Sequence, residues 1–492
     1  MSSHTTGPAA VTTSVKHQPA QPYSADPRDT PYESCSPLGK ALVLAFVLVA
    51  IGYLAWRTTT INQEHPIFSW LVYGAEAYGV LGAFVHVFIM WRLTERTAPP
   101  APKGLSVDVF VTCFNEPVNM LRRTLLLARD MDYPHQTWLL DDGNRDEMRE
   151  LAERLGVRYL RRPDNTHAKA GNLNHALGYS SADFVAMFDA DHAPRRDFLC
   201  KTLGYFLDQR VALVQTPQEF FNLNSFQHRL RKSTGRLWTE QALFFKVLQR
   251  GKDHWNAAFF CGTCAVVRRS ALDQIGQFAV GTVTEDLHTS IRLHKAGFLS
   301  VYHAEPLAFG IAPAQVTPFL AQRIRWGQGA MQVLRKEGVL LTPHLTLAQK
   351  LNYFASITTY FDGWQKAIFW MAPCVVLLTG WLPIDANGWV FLCWFIPFFV
   401  LSMASFEELA RGYGNIFYTE QYNFARFAAF AWATLGLLLG PRKFHVTNKA
   451  MTQKQHVLFQ LLPQWGLIAL SGAAIVWELY CYQETGAPYL PE

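Results

Sequence analysis

Apolar residues gather at the two ends of this chain, and between them polar and apolar positions alternate in short runs. The runs Ala41 to Trp56 and Phe68 to Trp91 are long enough, the first only just, for two transmembrane helices joined by a short loop. From about Lys103 to Leu340, β-type apolar runs alternate with amphipathic helical stretches, the pattern of an α/β unit with a largely parallel sheet. The strand candidates are Val107 to Cys113, Thr137 to Leu140, Arg158 to Leu160, Phe184 to Phe188 and Val211 to Gln215. Apolar blocks return at Ile368 to Trp381, Trp389 to Met403, Phe427 to Leu439 and Val457 to Tyr480. Residues 1–36 are rich in Ser, Thr, Pro, Ala and His without apolar periodicity, which predicts a disordered cytoplasmic tail with no signal-peptide pattern.

Charge adds a topology. Arg92 and Arg96 follow the second apolar run, whereas the loop Thr58 to Pro66 has no Lys or Arg, so the alternating region belongs on the cytoplasmic side. The loop Leu382 to Gly388 has no basic residue and none follows Lys454, which places both outside. If Arg442, Lys443, Lys449 and Lys454 are cytoplasmic, the block near Phe427 lies between two cytoplasmic flanks. It then reads as an interfacial helix, leaving five spans. The expected organisation is a tail over 1–36, two transmembrane helices over 37–102, a cytoplasmic α/β domain over 103–340, and transmembrane and interfacial helices over 341–492.

Composition agrees with that division: the 492 residues are 50% hydrophobic and 14% aromatic, too apolar in long blocks for a wholly soluble protein. The net charge of +6 sits beside the apolar runs, so it reads as membrane topology and not as nucleic-acid binding. Eight cysteines at irregular places predict no disulfide framework. Cys261 and Cys264 form a lone CxxC without a second ligand pair for zinc.

Three acidic motifs carry the candidate chemistry: Asp141-Asp142-Gly143, Asp189-Ala190-Asp191 and Thr284-Glu285-Asp286. The first two follow predicted strands, and ligands of open α/β sheets bind at the carboxyl ends of strands. Asp189 and Asp191 supply hard oxygen ligands for Mg²⁺ or Mn²⁺, though an acidic loop on a solvated surface has the same pattern. Lys169, beside a Gly-containing turn, offers a point charge for phosphate or merely faces solvent. Asp286 is the candidate general base, with helix capping as the alternative for it or Thr284. In Gln322-Arg323-Ile324-Arg325-Trp326 the tryptophan offers a flat face for a sugar ring beside guanidinium groups, or is an interfacial anchor.

Together these residues resemble the catalytic subunit of bacterial cellulose synthase, within the processive inverting glycosyltransferases of family 2. The similar motifs are Phe114-Asn115-Glu116-Pro117, Asp141-Asp142-Gly143, His167-Ala168-Lys169-Ala170-Gly171-Asn172, Phe188-Asp189-Ala190-Asp191-His192, Gln215-Thr216-Pro217, Phe259-Phe260-Cys261-Gly262-Thr263, Thr284-Glu285-Asp286 and the pentad at 322–326. Phe444-His445-Val446-Thr447-Asn448-Lys449, within 441–454, resembles that family's gating loop. The resemblance implies a GT-A glycosyltransferase domain inserted between the helices of a polytopic membrane protein of the inner membrane, using UDP-glucose and Mg²⁺ or Mn²⁺. It implies catalytic roles for Asp286, Glu285, Asp142, Asp189 and Asp191, the last two as metal ligands. Substrate contacts fall to Asp141, Lys169, Thr284, Phe260, Cys261, Gly262, Gln322, Arg323, Arg325, Trp326, Phe444, Val446, Thr447 and Lys449.

The implied product is a β-glucan passed across the bilayer, with β-1,4 linkage the leading expectation. β-1,3 or mixed linkage, a chitin- or hyaluronan-like polymer, and a catalytically silent transporter or sensor are the alternatives. A periplasmic accessory subunit is an implied partner. A PilZ domain for cyclic di-GMP is not expected, because only one apolar block and a short tail follow the loop resembling the gate.

Overall fold

The computed structural model describes residues 23–231, 236–439 and 457–485. Two helices begin the membrane part, α1 (Pro37–Thr58) and α2 (Pro66–Met90). Each starts with proline at its first position, where a missing N–H costs nothing, and Ser36 caps α1 by accepting from the Gly39 N–H at 2.9 Å. α1 buries Val43, Phe46, Ala50 and Tyr53, a spacing of three to four that puts them on one face.

Seven strands form one sheet: β1 (Val107–Cys113), β2 (Gln136–Asp141), β3 (Arg158–Arg161), β4 (Phe184–Asp189), β5 (Val211–Gln215), β6 (Ala265–Arg268) and β7 (Leu299–Tyr302). Their order across the sheet is β7-β5-β6-β4-β1-β2-β3. β1 is central and buried on both faces. Val109 and Val111 enter one core and Phe110 the other, and each such side chain contributes about 1.5–3 kcal/mol on burial. The expected largely parallel sheet holds except at β6, which runs antiparallel to both β4 and β5. β6 and β7 had no clear signal of their own, since a fully buried run of four residues has no readable period.

Helix α3 (Ala168–Leu177) packs beside β1 and β2, and α4 (Glu285–Lys295) and α5 (Val316–Glu337) follow the sheet. The chain then forms α6 (Asp362–Thr379), α7 (Gly388–Leu409), α8 (Ile416–Thr434) and α9 (Leu462–Thr485). Among the described residues, four helices are long and apolar enough to cross a membrane: α1, α2, α7 and most of α9. The block at 368–381, expected as a further span, lies largely within α6. Its first turns carry Asp362, Gln365 and Lys366, which lower its hydropathy. α8 begins well before the apolar block near Phe427 because its polar residues have partners: Glu420 pairs with Lys366 at 2.7 Å, and Arg426 pairs with Glu240. It packs on α5 and α6.

Candidate active site

The acidic motifs meet where the strands end. Asp141, the last residue of β2, is fully buried and accepts from the Gly143 N–H (3.0 Å), the Arg145 N–H (2.7 Å) and the Tyr159 hydroxyl (3.0 Å). Asp141, expected as a substrate contact, has structural partners here, and a carboxylate with these partners shapes the turn. Gly143 is required there, since a Cβ would lie 2.0 Å from the Phe114 carbonyl oxygen. Asp142 points the other way and takes both Nε and Nη2 of Arg162, the latter at 2.8 Å. Arg162 also donates to the carbonyls of Thr166 (2.6 Å) and Ala168 (2.8 Å), fastening the turn after β2 to the start of α3. No motif marked Arg162 in the sequence.

Lys169, in the first turn of α3, reaches across to Asp189 at the end of β4 and donates to the Gly262 carbonyl at 2.7 Å. One ligand atom each from Asp189, Asp191 and His192 lies within 4.8 Å of the others. His192 Nε2 is buried without a hydrogen-bond partner among the described residues. The two carboxylates are hard oxygen donors that suit Mg²⁺ or Mn²⁺. His192 joins the two expected ligands because the turn after β4 brings its ring beside Asp191, at 3.2 Å.

Thr284, Glu285 and Asp286 begin α4. Thr284 makes no side-chain cap, and Asp286 Oδ1 accepts from its neighbour Leu287 N–H at 2.8 Å. Asp286 Oδ2 lies against Gly262, where a Cβ would approach it to 3.2 Å; the φ of +86° at Gly262 also favours glycine. Burial pushes both carboxyls above the ordinary range. The Asp286 charge raises Glu285 further, while Lys169 opposes both shifts.

The pentad lies in the middle of α5, and its residues divide by helix face. Arg325 is within electrostatic reach of Glu285, Asp189 and Asp286. Arg323 and Trp326, three apart, share the other face, with the guanidinium 4.5 Å from the indole centroid. Gln322 Oε1 is buried and has no hydrogen-bond partner among the described residues. Arg323 is held by Glu240, whereas Arg325 lies toward Glu285, Asp189 and Asp286.

A cleft of about 400 Å³ runs from Thr284, Asp286 and Cys261 past Phe259 and Trp326 to His86 on α2, Asp362 on α6 and Arg426 on α8. Phe260, expected as a substrate contact, instead packs into the core beside Phe278, because its N–H bond to Ser290 Oγ turns the ring inward. Phe259 takes the cleft wall. A larger groove of about 840 Å³ has only Asp191 in common with the motifs. Phe444, Val446, Thr447 and Lys449 lie outside the described residues.

Comparison with known proteins settles the family. A family model described as "Glycosyl transferase family 2" matches residues 108–276, and one described as "Cellulose synthase" matches residues 273–427. The cellulose synthase catalytic subunit [UDP-forming] of Pseudomonas fluorescens (strain SBW25) is 35% identical over 83% of this chain and 57% of its own length. The chain belongs to the cellulose synthase group of family 2 glycosyltransferases. The corresponding subunit of Xanthomonas axonopodis pv. citri (strain 306) is 40% identical over 65% of this chain and 45% of its own length. This member of the group thus spans about half the length of those two curated relatives. Its fold is that of GT-A enzymes: a mannosyltransferase from Pyrobaculum calidifontis, solved with GDP-Man and Mn²⁺, superposes with a TM-score of 0.53 at 18% identity, over 80% of this chain and 99% of its own.

Proposed function

We propose that this chain is a multi-pass inner-membrane enzyme that transfers glucose from UDP-glucose to the end of a growing β-glucan, with inversion, and passes the polymer across the bilayer. The observation that carries this reading is the cleft in which the half-buried Asp286 carboxylate and the Trp326 ring line one space that extends to α2, α6 and α8. The linkage we assign is β-1,4, as in the cellulose synthases that the chain resembles.

In the proposed step, Asp286 takes the proton of the acceptor hydroxyl, whose oxygen forms a bond to the glucose anomeric carbon as the bond to the UDP oxygen breaks. Direct displacement by one nucleophile inverts the anomeric centre. Asp189, Asp191 and His192 would hold the divalent ion, which supplies positive charge for the departing diphosphate. Lys169 and Arg325 bring two further cations to the same side of the site. Trp326 offers its face to the acceptor sugar. The nucleotide would lie over the turn that Arg162 ties to α3.

The test uses membranes carrying the full chain, radiolabelled UDP-glucose and Mg²⁺, followed by linkage-specific glucanases, beside an Asp286→Asn control. Product cleaved by a β-1,4-glucanase and absent from the control is the expected result. Sensitivity to a β-1,3-glucanase would overturn the linkage, and incorporation only from UDP-N-acetylglucosamine would overturn the donor.

A further inference from the structure

Where the α/β domain meets the membrane helices, one carboxylate serves two buried guanidiniums. Glu240 accepts from Arg323 on α5 through one oxygen and from Arg426 on α8 through the other. The Glu240 side chain is 7% exposed, against 9% for Arg323 and 19% for Arg426, so neither cation is neutralised by solvent. Arg323 lies over two rings, 4.5 Å from the centroid of Trp326 and 4.9 Å from that of Phe319. The same carboxylate therefore seats the cation behind the Trp326 ring and joins α5 to α8.

A purely structural clamp would use up its donors. Here Arg323 Nε and Arg426 Nε are both buried without a partner among the described residues. Buried donors left unmatched by protein suit a ligand rich in acceptor oxygens. Glu240, Arg323, Trp326 and Arg426 all line the cleft that contains Asp286. Lys169, Asp189 and Arg325 do not belong to its lining, so the clamp stands on the acceptor side of the site.

We propose that Glu240 is a positioning residue for the acceptor. It holds Arg323 against Trp326 and both unmatched Nε donors in place, so that the hydroxyl-rich end of the polymer is retained between successive additions. The inference rests on the proposed function, because it takes the occupant of the cleft to be the polymer. Without the carboxylate, two like charges that already act on each other would be left buried together, and Arg323 would lose its seat on the indole.

The experiment compares wild-type and Glu240→Gln full-length protein in membranes with UDP-glucose and Mg²⁺, measuring UDP release against UDP-glucose concentration and the length of the polymer. Loss of acceptor retention leaves KM for UDP-glucose within about twofold while mean product length falls at least about fivefold. Undiminished length in Glu240→Gln, or a fall matched by an equal rise in KM for UDP-glucose, overturns the inference. If Glu240→Gln fails to accumulate, Arg426→Gln alone decides: shorter product at unchanged KM supports the proposal, and full-length product overturns it. Wild-type membranes that make no polymer defeat the proposed function and this inference with it, whereas normal polymer from the variant defeats the inference alone.

Discussion

As the proposed general base, Asp286 combines two demands on one carboxylate, since a base must be ionised yet burial favours the neutral form. Because its folded pKa is raised, the acid limb of the rate profile belongs above the ordinary carboxylate range, with turnover lost as pH falls through that raised value. The sign for stability is opposite. The folded state binds the proton more tightly than the unfolded chain, so this stabilising contribution is complete below the unfolded pKa and disappears as pH rises through the folded one. Asp286→Asn should therefore lower turnover by about 10²–10⁴-fold. At neutral pH it should melt no lower than wild type in a thermal unfolding scan of the solubilised protein. A variant that is inactive and also markedly less stable would assign Asp286 a structural role instead.

Between elements, the catalytic geometry depends on how α4 sits on α5. His288 on α4 shares a 2.6 Å hydrogen bond with Glu337 at the end of α5, and Lys295 reaches the same carboxylate at 2.8 Å. The Val283 N–H donates to Gln332 at 2.8 Å, and Thr284 rests against Gly329, where a Cβ would lie 2.4 Å from its methyl group. The His288 hydrogen bond, with Lys295 beside it, holds the Glu337 carboxyl down at about 2. That contribution is complete above the unfolded value and is lost as pH falls toward the folded one. Glu337→Gln should cost about 1.5–3 kcal/mol at neutral pH and flatten the dependence of the melting temperature on pH in the acid range. Gly329→Ala should lower turnover through overpacking, at about 1–3 kcal/mol. Unchanged turnover in an assay of UDP release would show that α4 can shift without disturbing Asp286.

At the scale of the whole molecule, the segment that follows α2 is tied toward the sheet through a buried ion pair. Arg96 meets Asp253 at 2.5 Å with the side chains 2% and 0% exposed. Asp253 also accepts from the Tyr302 N–H in β7 at 2.9 Å. Removing one partner leaves the other charge buried, so Asp253→Asn should destabilise the protein by about 3–5 kcal/mol, measured by thermal unfolding. Its effect on UDP-glucose affinity in the surviving folded fraction should be small, because the pair stands away from the acidic motifs. The docking of sheet on helices matters to function because the cleft belongs to both: its walls come from α2, α4, α5, α6 and α8 together.

The sequence alone was enough to place β1 and β5, the strand ends that carry Asp141 and Asp189, and the runs that became α1 and α2, because these depend on local period and length. It also contained the acidic motifs and the pentad in order. It did not show that Asp141 would turn inward while Asp142 paired with Arg162, since that choice is made by a Tyr159 hydroxyl and a guanidinium from a different strand and loop. Nor did it separate Arg323 from Arg325, whose division follows from the face of α5 that packs against Glu240 and α8. Glu240 and Arg426 lie 186 positions apart in the chain, and no pattern joined them. Their pairing, the antiparallel insertion of β6 and the continuity of the cleft are properties of long-range packing. Only the folded molecule decided them, because each depends on which distant side chain arrives to satisfy a buried charge or backbone group.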